Sequence, residues 1–402
     1  MAPDCTLAPA LQLTRNSYFS FGLTIARVLL YHIPKVSHSS ILSSKSLQYY
    51  SIMTIPILIP SVPRYESLEK YIKLIDESRH YTNFGQLENT LRSRFSNIWG
   101  VEIEKIATAA NATLALQGAI ATSENQNDFW SLPSWTFTAT ALAAKRECRE
   151  FKFIDVAETT WRAAFDPYAL NVIDVLPFGD CLDFSRFEQN TSGCVVVDAA
   201  ASIASLLQPL PSIKKKFAIV VSLHATKLLP AGEGALFVSN CKEWTQRFRA
   251  WSNFGFNGNR ISVLFGTNAK LSEYSAAIAL AALDSLSDVL SKLSTIQKLA
   301  LDITLNSGNR VHPAMQKGIT TPYWIVEFSS AEDKIEKQKL FEMKQIQTLE
   351  WWGKGCHKNP IFGKESSSLV RTEDLANRTL GLPMHTYLTD NDLSQIAEVL
   401  MR

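Results

Sequence analysis

Hydrophobic and polar positions change character twice along this chain. Residues 1–50 show no sustained strand or helix pattern, and their most apolar run, 21–31, is broken by Arg27. From Thr54 onward, short β-branched runs alternate with helical stretches. Phe151-Lys152-Phe153-Ile154-Asp155-Val156, Cys194-Val195-Val196-Val197-Asp198 and Phe217-Ala218-Ile219-Val220-Val221-Ser222 read as strands. The last two are apolar almost throughout, as in parallel strands covered on both faces. Residues 113–121 and 139–145 read as helices between them. Such alternation predicts an α/β fold, a mostly parallel sheet flanked by helices. Past Phe254, an Ala- and Leu-rich stretch (271–301) reads as one or two helices. A strand at 323–328, a helix at 334–349 and a terminal helix from Asp390 follow. The expected organisation is an extension at 1–52, a large domain at 53–255 and a smaller C-terminal α+β domain at 256–402 that includes a long linking helix.

Composition narrows the function classes. Of 402 residues, 46% are hydrophobic and 19% charged, enough for a large core, and the formal net charge is only +2. No basic stripe marks a nucleic-acid partner. Lys214-Lys215-Lys216 reads as a solvated loop before a strand. No apolar run approaches the roughly 20 residues of a membrane span. The cysteines (5, 148, 181, 194, 241 and 356) lack paired spacing, so neither a metal site nor a disulfide framework is expected, and a reducing, cytoplasmic setting fits. Arg15, Arg27, Lys35 and Lys45 face one acid, Asp4, in a serine-rich extension. A transit peptide has that composition. The preferred reading is a poorly ordered extension, with Met53 as the true start.

Ligands of open α/β sheets bind beyond the carboxyl ends of the strands. One strand here ends at Asp198 and another at Ser222, which runs on through Leu223-His224-Ala225-Thr226 to Lys227. A carboxylate and a lysine at one sheet edge suit pyridoxal phosphate (PLP). The amine forms a Schiff base, and the carboxylate keeps the ring nitrogen protonated. Taken singly, Asp198 could be a helix cap and Lys227 a surface residue. The amides following Thr108-Ala109-Ala110-Asn111 would open a helix, a ready phosphate site, although plain capping by Asn111 or Thr108 explains the same pattern.

As a set, these segments resemble the DegT/DnrJ/EryC1/StrS sugar aminotransferases. The segments are Thr82-Asn83-Phe84-Gly85, Asn111-Ala112-Thr113, Pro133-Ser134-Trp135-Thr136-Phe137-Thr138-Ala139-Thr140, Asp198-Ala199-Ala200, Ser222 to Lys227 and Gly232-Glu233-Gly234. Gly266-Thr267-Asn268, Ala276-Ala277-Ile278 and Leu380-Gly381-Leu382-Pro383-Met384-His385 continue the family order. The resemblance implies a fold-type-I PLP enzyme acting as a homodimer. Lys227 would be the catalytic Schiff-base lysine and Asp198 the pyridinium partner. Phe137 would stack on the ring, Ser222 and the amides of Ala112 and Thr113 would hold phosphate, and Asn268 would reach phosphate from the neighbouring subunit. His224 would line the pocket.

The implied reaction moves an amino group from an amino-acid donor, glutamate, to a nucleotide-linked keto sugar in polysaccharide or amino-sugar biosynthesis. Two positions depart from the family pattern. Ala112 replaces a glycine, where a methyl could crowd the anion. Ala201 replaces a Gln or His near the ring hydroxyl, and the connection 171–186 looks short. These departures leave one alternative open, a PLP-binding regulator or degenerate paralogue without turnover. The family's dehydratase branch carries histidine at the lysine position, so Lys227 argues against it.

Overall fold

Residues 55–124, 129–166, 168–187, 192–363 and 368–402 are described by the structure, a computed structural model. The extension up to residue 54 and Cys5 lie outside them. Seven strands form the main sheet: β1 (Ile106–Ala109), β2 (Phe129–Pro133), β3 (Glu150–Ile154), β4 (Asn171–Val175), β5 (Cys194–Asp198), β6 (Lys216–Ser222) and β7 (Ala235–Ser239). Their order is β1-β7-β6-β5-β4-β2-β3, and only β7 runs against the rest. Thus the two valine-rich runs became central neighbours, paired in parallel with Asp198 opposite Val220.

Alternation along these strands feeds two apolar layers. Val195, Val197, Phe217, Ile219 and Val221 join one cluster, which also takes in Leu91, Phe95, Ala276 and Leu280. Cys194, Val196, Ala218 and Val220 face the other, with Leu116, Ala119, Trp244 and Phe248. A period of two therefore explains why both strands read as continuous apolar runs. The long Ala/Leu stretch divides into two helices, Glu273–Asp284 and Leu286–Asn306. A second, antiparallel sheet follows in the order β10-β9-β8, from β8 (Arg310–Val311), β9 (Trp324–Glu327) and β10 (Thr379–Leu382). Among the described residues, no helix is long and apolar enough to cross a membrane. The five described cysteines are free.

Two expectations fail locally. The helix expected over 334–349 spans Ala331–Met343 instead. Gln345 takes a left-handed φ of 56°, and the chain then bridges Ile346 to Ile55 and Leu349 to Gly381. Backbone pairing there outcompetes helix continuation. Nor is the lysine run wholly solvated. Lys215 is buried and its Nζ donates to the Ser192 carbonyl at 2.7 Å, while Lys216 opens β6 and pairs with Glu124. Lys214 and Lys216 keep the expected exposure.

Residues 55–61 belong to the folded unit. Besides the Ile55 bridge, Met384 N donates to Ile57 O at 3.2 Å and His385 Nε2 bonds Pro56 O at 3.1 Å. A chain starting at Met53 keeps all of these contacts. One starting at Tyr65 should lose at least the roughly 1.5–3 kcal/mol that burying an isoleucine contributes. Denaturant titration of both truncations checks this, and equal midpoints would contradict it.

Candidate active site

Because β1, β2, β5 and β6 are mutually parallel, their carboxyl ends share one edge. That edge receives Asn111-Ala112-Thr113 after β1, Ser134–Thr140 after β2, Asp198 from β5 and the loop from Ser222 to Lys227 after β6. Asp198 is the buried centre. Its Oδ2 accepts from the Thr140 hydroxyl at 2.6 Å and its Oδ1 from the Ala200 amide at 3.1 Å. Thr140 in turn lies 2.9 Å from Thr136 Oγ1. Burial pushes the Asp198 carboxyl up from its ordinary range, opposed by those two hydrogen bonds and by the charge of Lys227. Lys227 is thus within electrostatic reach of Asp198, as the two parallel strand ends require.

The Lys227 loop closes on glycines. Leu223 N donates to Gly234 O and Ala225 N to Gly232 O, at 2.9 and 2.8 Å. Gly232 takes φ +77°, and a Cβ on Gly234 would come within 2.9 Å of Leu271. Glycine is needed at both positions, one for conformation and one for close approach. Ser222 Oγ accepts from the His224 amide at 3.2 Å, and His224 itself is exposed, with Nδ1 2.9 Å from Thr226 Oγ1. Lys227 Nζ donates to Tyr323 Oη at 2.7 Å. In the sequence, Tyr323 reads only as the start of a strand. Its link to Lys227 spans 96 positions, and no local motif announces it.

The helix Ala112–Ala121 starts with Asn111 as its cap, whose Oδ1 accepts from Leu114 N at 2.9 Å. The amides of Ala112 and Thr113 have no acceptor among the described residues. Capping and an anion site therefore coexist, since the cap takes a different amide. Ala112 packs against the second apolar cluster. Phe137, just before the helix Thr138–Glu147, is 58% exposed, so its ring is not core packing. Ala201 packs against the cluster of Trp135, Trp161, Phe178 and Tyr323.

Asn268 is exposed and accepts from Lys270 Nζ at 2.7 Å. The next residue's carbonyl receives the Ala110 amide at 2.7 Å, tying this loop to the approach of the Ala112 helix. Asn83 and Phe84 both adopt left-handed φ, with Arg249 4.2 Å over the Phe84 ring. The buried Glu273 carboxylate accepts from Leu87 and Glu88 amides, capping the helix Gln86–Trp99, and a Cβ on Gly85 would strike it at 2.5 Å. Ser134 Oγ lies 2.6 Å from His357 Nδ1, a clip between distant segments that sequence reading missed.

The model of the DegT/DnrJ/EryC1/StrS aminotransferase family matches residues 65–401. Protein Rv3402c of Mycobacterium tuberculosis is 27% identical over 369 residues, 86% of this chain and 89% of that protein. The dTDP-4-amino-4,6-dideoxy-D-glucose transaminase of Shigella dysenteriae is 25% identical over 367 residues, 86% of this chain and 98% of its own length. A solved Bacillus cereus structure, assigned as a PLP-dependent aminotransferase, matches with a TM-score of 0.76 at 27% identity, covering 87% of this chain and all of its own. A family match over most of the length, with relatives aligned nearly end to end, places this chain in the DegT/DnrJ/EryC1/StrS aminotransferase family.

Proposed function

We propose that this aminotransferase moves the amino group of glutamate to the keto carbon of a nucleotide-linked sugar, using PLP held by Lys227. The observation that carries the reading is the convergence of buried Asp198 and Lys227 on one sheet edge, near enough for the lysine's charge to act on the carboxyl. The donor set fits the cofactor. A buried carboxylate with no cation bonded to it among the described residues suits a protonated ring nitrogen, and two unclaimed amides at a helix start suit a phosphate. The Shigella relative, a transaminase of a dTDP-linked sugar, supports the substrate class.

When bound, PLP supplies an electron sink for the charge left at the donor's α-carbon. Asp198 would keep the ring-nitrogen proton in place, sheltered by Thr140 and the Ala200 amide. The amides of Ala112 and Thr113, with the Ser222 hydroxyl, would bind the phosphate, and the exposed Phe137 would cover one ring face. Lys227 Nζ would anchor the cofactor covalently, then take the α-proton of the donor and return it elsewhere on the same conjugated system. Residues 53–255 would form the cofactor-binding domain and 256–402 the smaller one.

A homodimer completes this reading. Ile261, Val263 and Phe265 are exposed on the loop that carries Asn268, where a second copy would cover them and receive Asn268 at its phosphate. Asn268→Ala is expected to weaken PLP binding by about 1.5–3 kcal/mol, the worth of a hydrogen bond to a charged group, or roughly ten- to 150-fold in Kd. Fluorescence titration of PLP into both proteins measures this. A monomer that binds PLP tightly would contradict it. The function itself is tested by adding glutamate to the PLP-loaded protein, then nucleotide-linked 3-keto and 4-keto sugars. A shift of the cofactor spectrum, reversed by one sugar, is expected. An unresponsive spectrum would instead favour a passive binder.

A further inference from the structure

We propose that Tyr323 is a positioning residue for Lys227, its phenol oxygen holding the lysine amine whenever that amine is not bonded to cofactor. The Nζ–Oη distance is 2.7 Å, and Nζ lies 5.3 Å from the ring centroid. Among the described residues, Tyr323 Oη has no other hydrogen-bond partner. The ring itself is held firmly. It is buried, with Trp351 edge-on at 5.0 Å and 83°, and Phe178 at 5.6 Å and 60°.

Its backbone is held too. His312 Nε2 lies 2.9 Å from the Tyr323 carbonyl, and the His312 amide donates to Ile325 O at 3.1 Å. The His312 ring is wholly buried and burial lowers its pKa to about 4, so at neutral pH it is uncharged and Nε2–H is the donor to that carbonyl. A side chain fixed by two aromatic rings and a buried histidine is stiff, whereas lysine has four rotatable bonds to restrain. Lys227, Thr226, Leu228 and Pro322, the residue before Tyr323, also line one cleft with Met384 and His385.

This inference rests on the aminotransferase reading, in which Lys227 must leave the cofactor carbon and stay near enough to relay a proton. Misplacing a reacting group by about 1 Å can cost 10²-fold in rate. No new bond is made. The phenol accepts a hydrogen from nitrogen while the amine waits, and gives it up when the amine turns to the donor's α-carbon.

The test is Tyr323→Phe, which keeps the ring and its packing and removes only the oxygen. With the holoenzyme, L-glutamate and, as acceptor, the keto sugar that reverses its spectral shift, kcat is expected to fall about 10- to 100-fold with KM little changed. The isotope effect from α-deuterated glutamate should rise, because proton transfer becomes slower. A purely structural role would move neither the isotope effect nor the ratio of kcat to KM. A second readout needs no cofactor. In the PLP-free full-length chain, trinitrobenzenesulfonate should label Lys227, located by peptide mapping, several-fold faster in the variant. Unchanged kcat and isotope effect, or equal labelling rates, would overturn the proposal. If the wild type itself shows no turnover, the aminotransferase reading fails. The labelling rates then still decide whether Tyr323 holds Lys227.

Discussion

Lys227→Ala is expected to fold, bind PLP only reversibly and lose transamination by at least about 10⁴-fold, the upper range for removing one general acid–base group. The loss should exceed that of any neighbour, because Lys227 both anchors the cofactor and moves the proton. Folding should survive. Lys227 is only partly buried, and its loop is closed by backbone bonds from Leu223 and Ala225 to Gly234 and Gly232. Circular dichroism, the visible spectrum and single-turnover assays check the three parts. A variant that keeps a stable, covalently bound cofactor would show that another lysine is the anchor.

Asp198→Asn should move stability and activity in opposite directions. Burial raises the Asp198 carboxyl in the folded, cofactor-free protein above its unfolded value. Such a group binds more protons folded than unfolded, so its contribution favours folding at low pH and is lost as pH rises from the ordinary carboxylate range through the raised value. Removing the charge should therefore stabilise the PLP-free protein at neutral pH by about 1–3 kcal/mol, the cost of an under-compensated buried polar group. It should also flatten the pH dependence across that window. With PLP bound, the same change should cost about 10²–10³-fold in kcat, the scale for one preorganised electrostatic group. Melting curves at several pH values and steady-state kinetics measure both. A less stable PLP-free Asp198→Asn protein would refute the electrostatic picture.

The chemistry was legible in the sequence where it sits at the ends of strongly patterned elements. Three valines before Asp198 and the apolar run before Ser222 gave the strands, and the order of motifs gave the family. The outer half of the sheet was harder to read. Nothing local in Ala235–Ser239 says that β7 runs antiparallel between β1 and β6, because strand direction is set by the connection rather than by side chains. Tyr323 was missed for a related reason. It looks like one more aromatic at a strand start, and only the tertiary fold brings it to Lys227. Lys215 was misread because charge runs are usually solvated, while here the Ser192 carbonyl repays burial of the amine. The concern that the Ala112 methyl crowds the anion is eased by its packing against the apolar cluster beside β1.

The most direct test of the central claim is to reduce the PLP-loaded protein with borohydride, digest it and map the modified peptide. The expected result is a pyridoxyl group on Lys227 alone, in the peptide that follows β6. A pyridoxyl group on any other lysine, or none at all in protein whose spectrum shows bound PLP, would contradict the assignment of Lys227 as the cofactor's anchor.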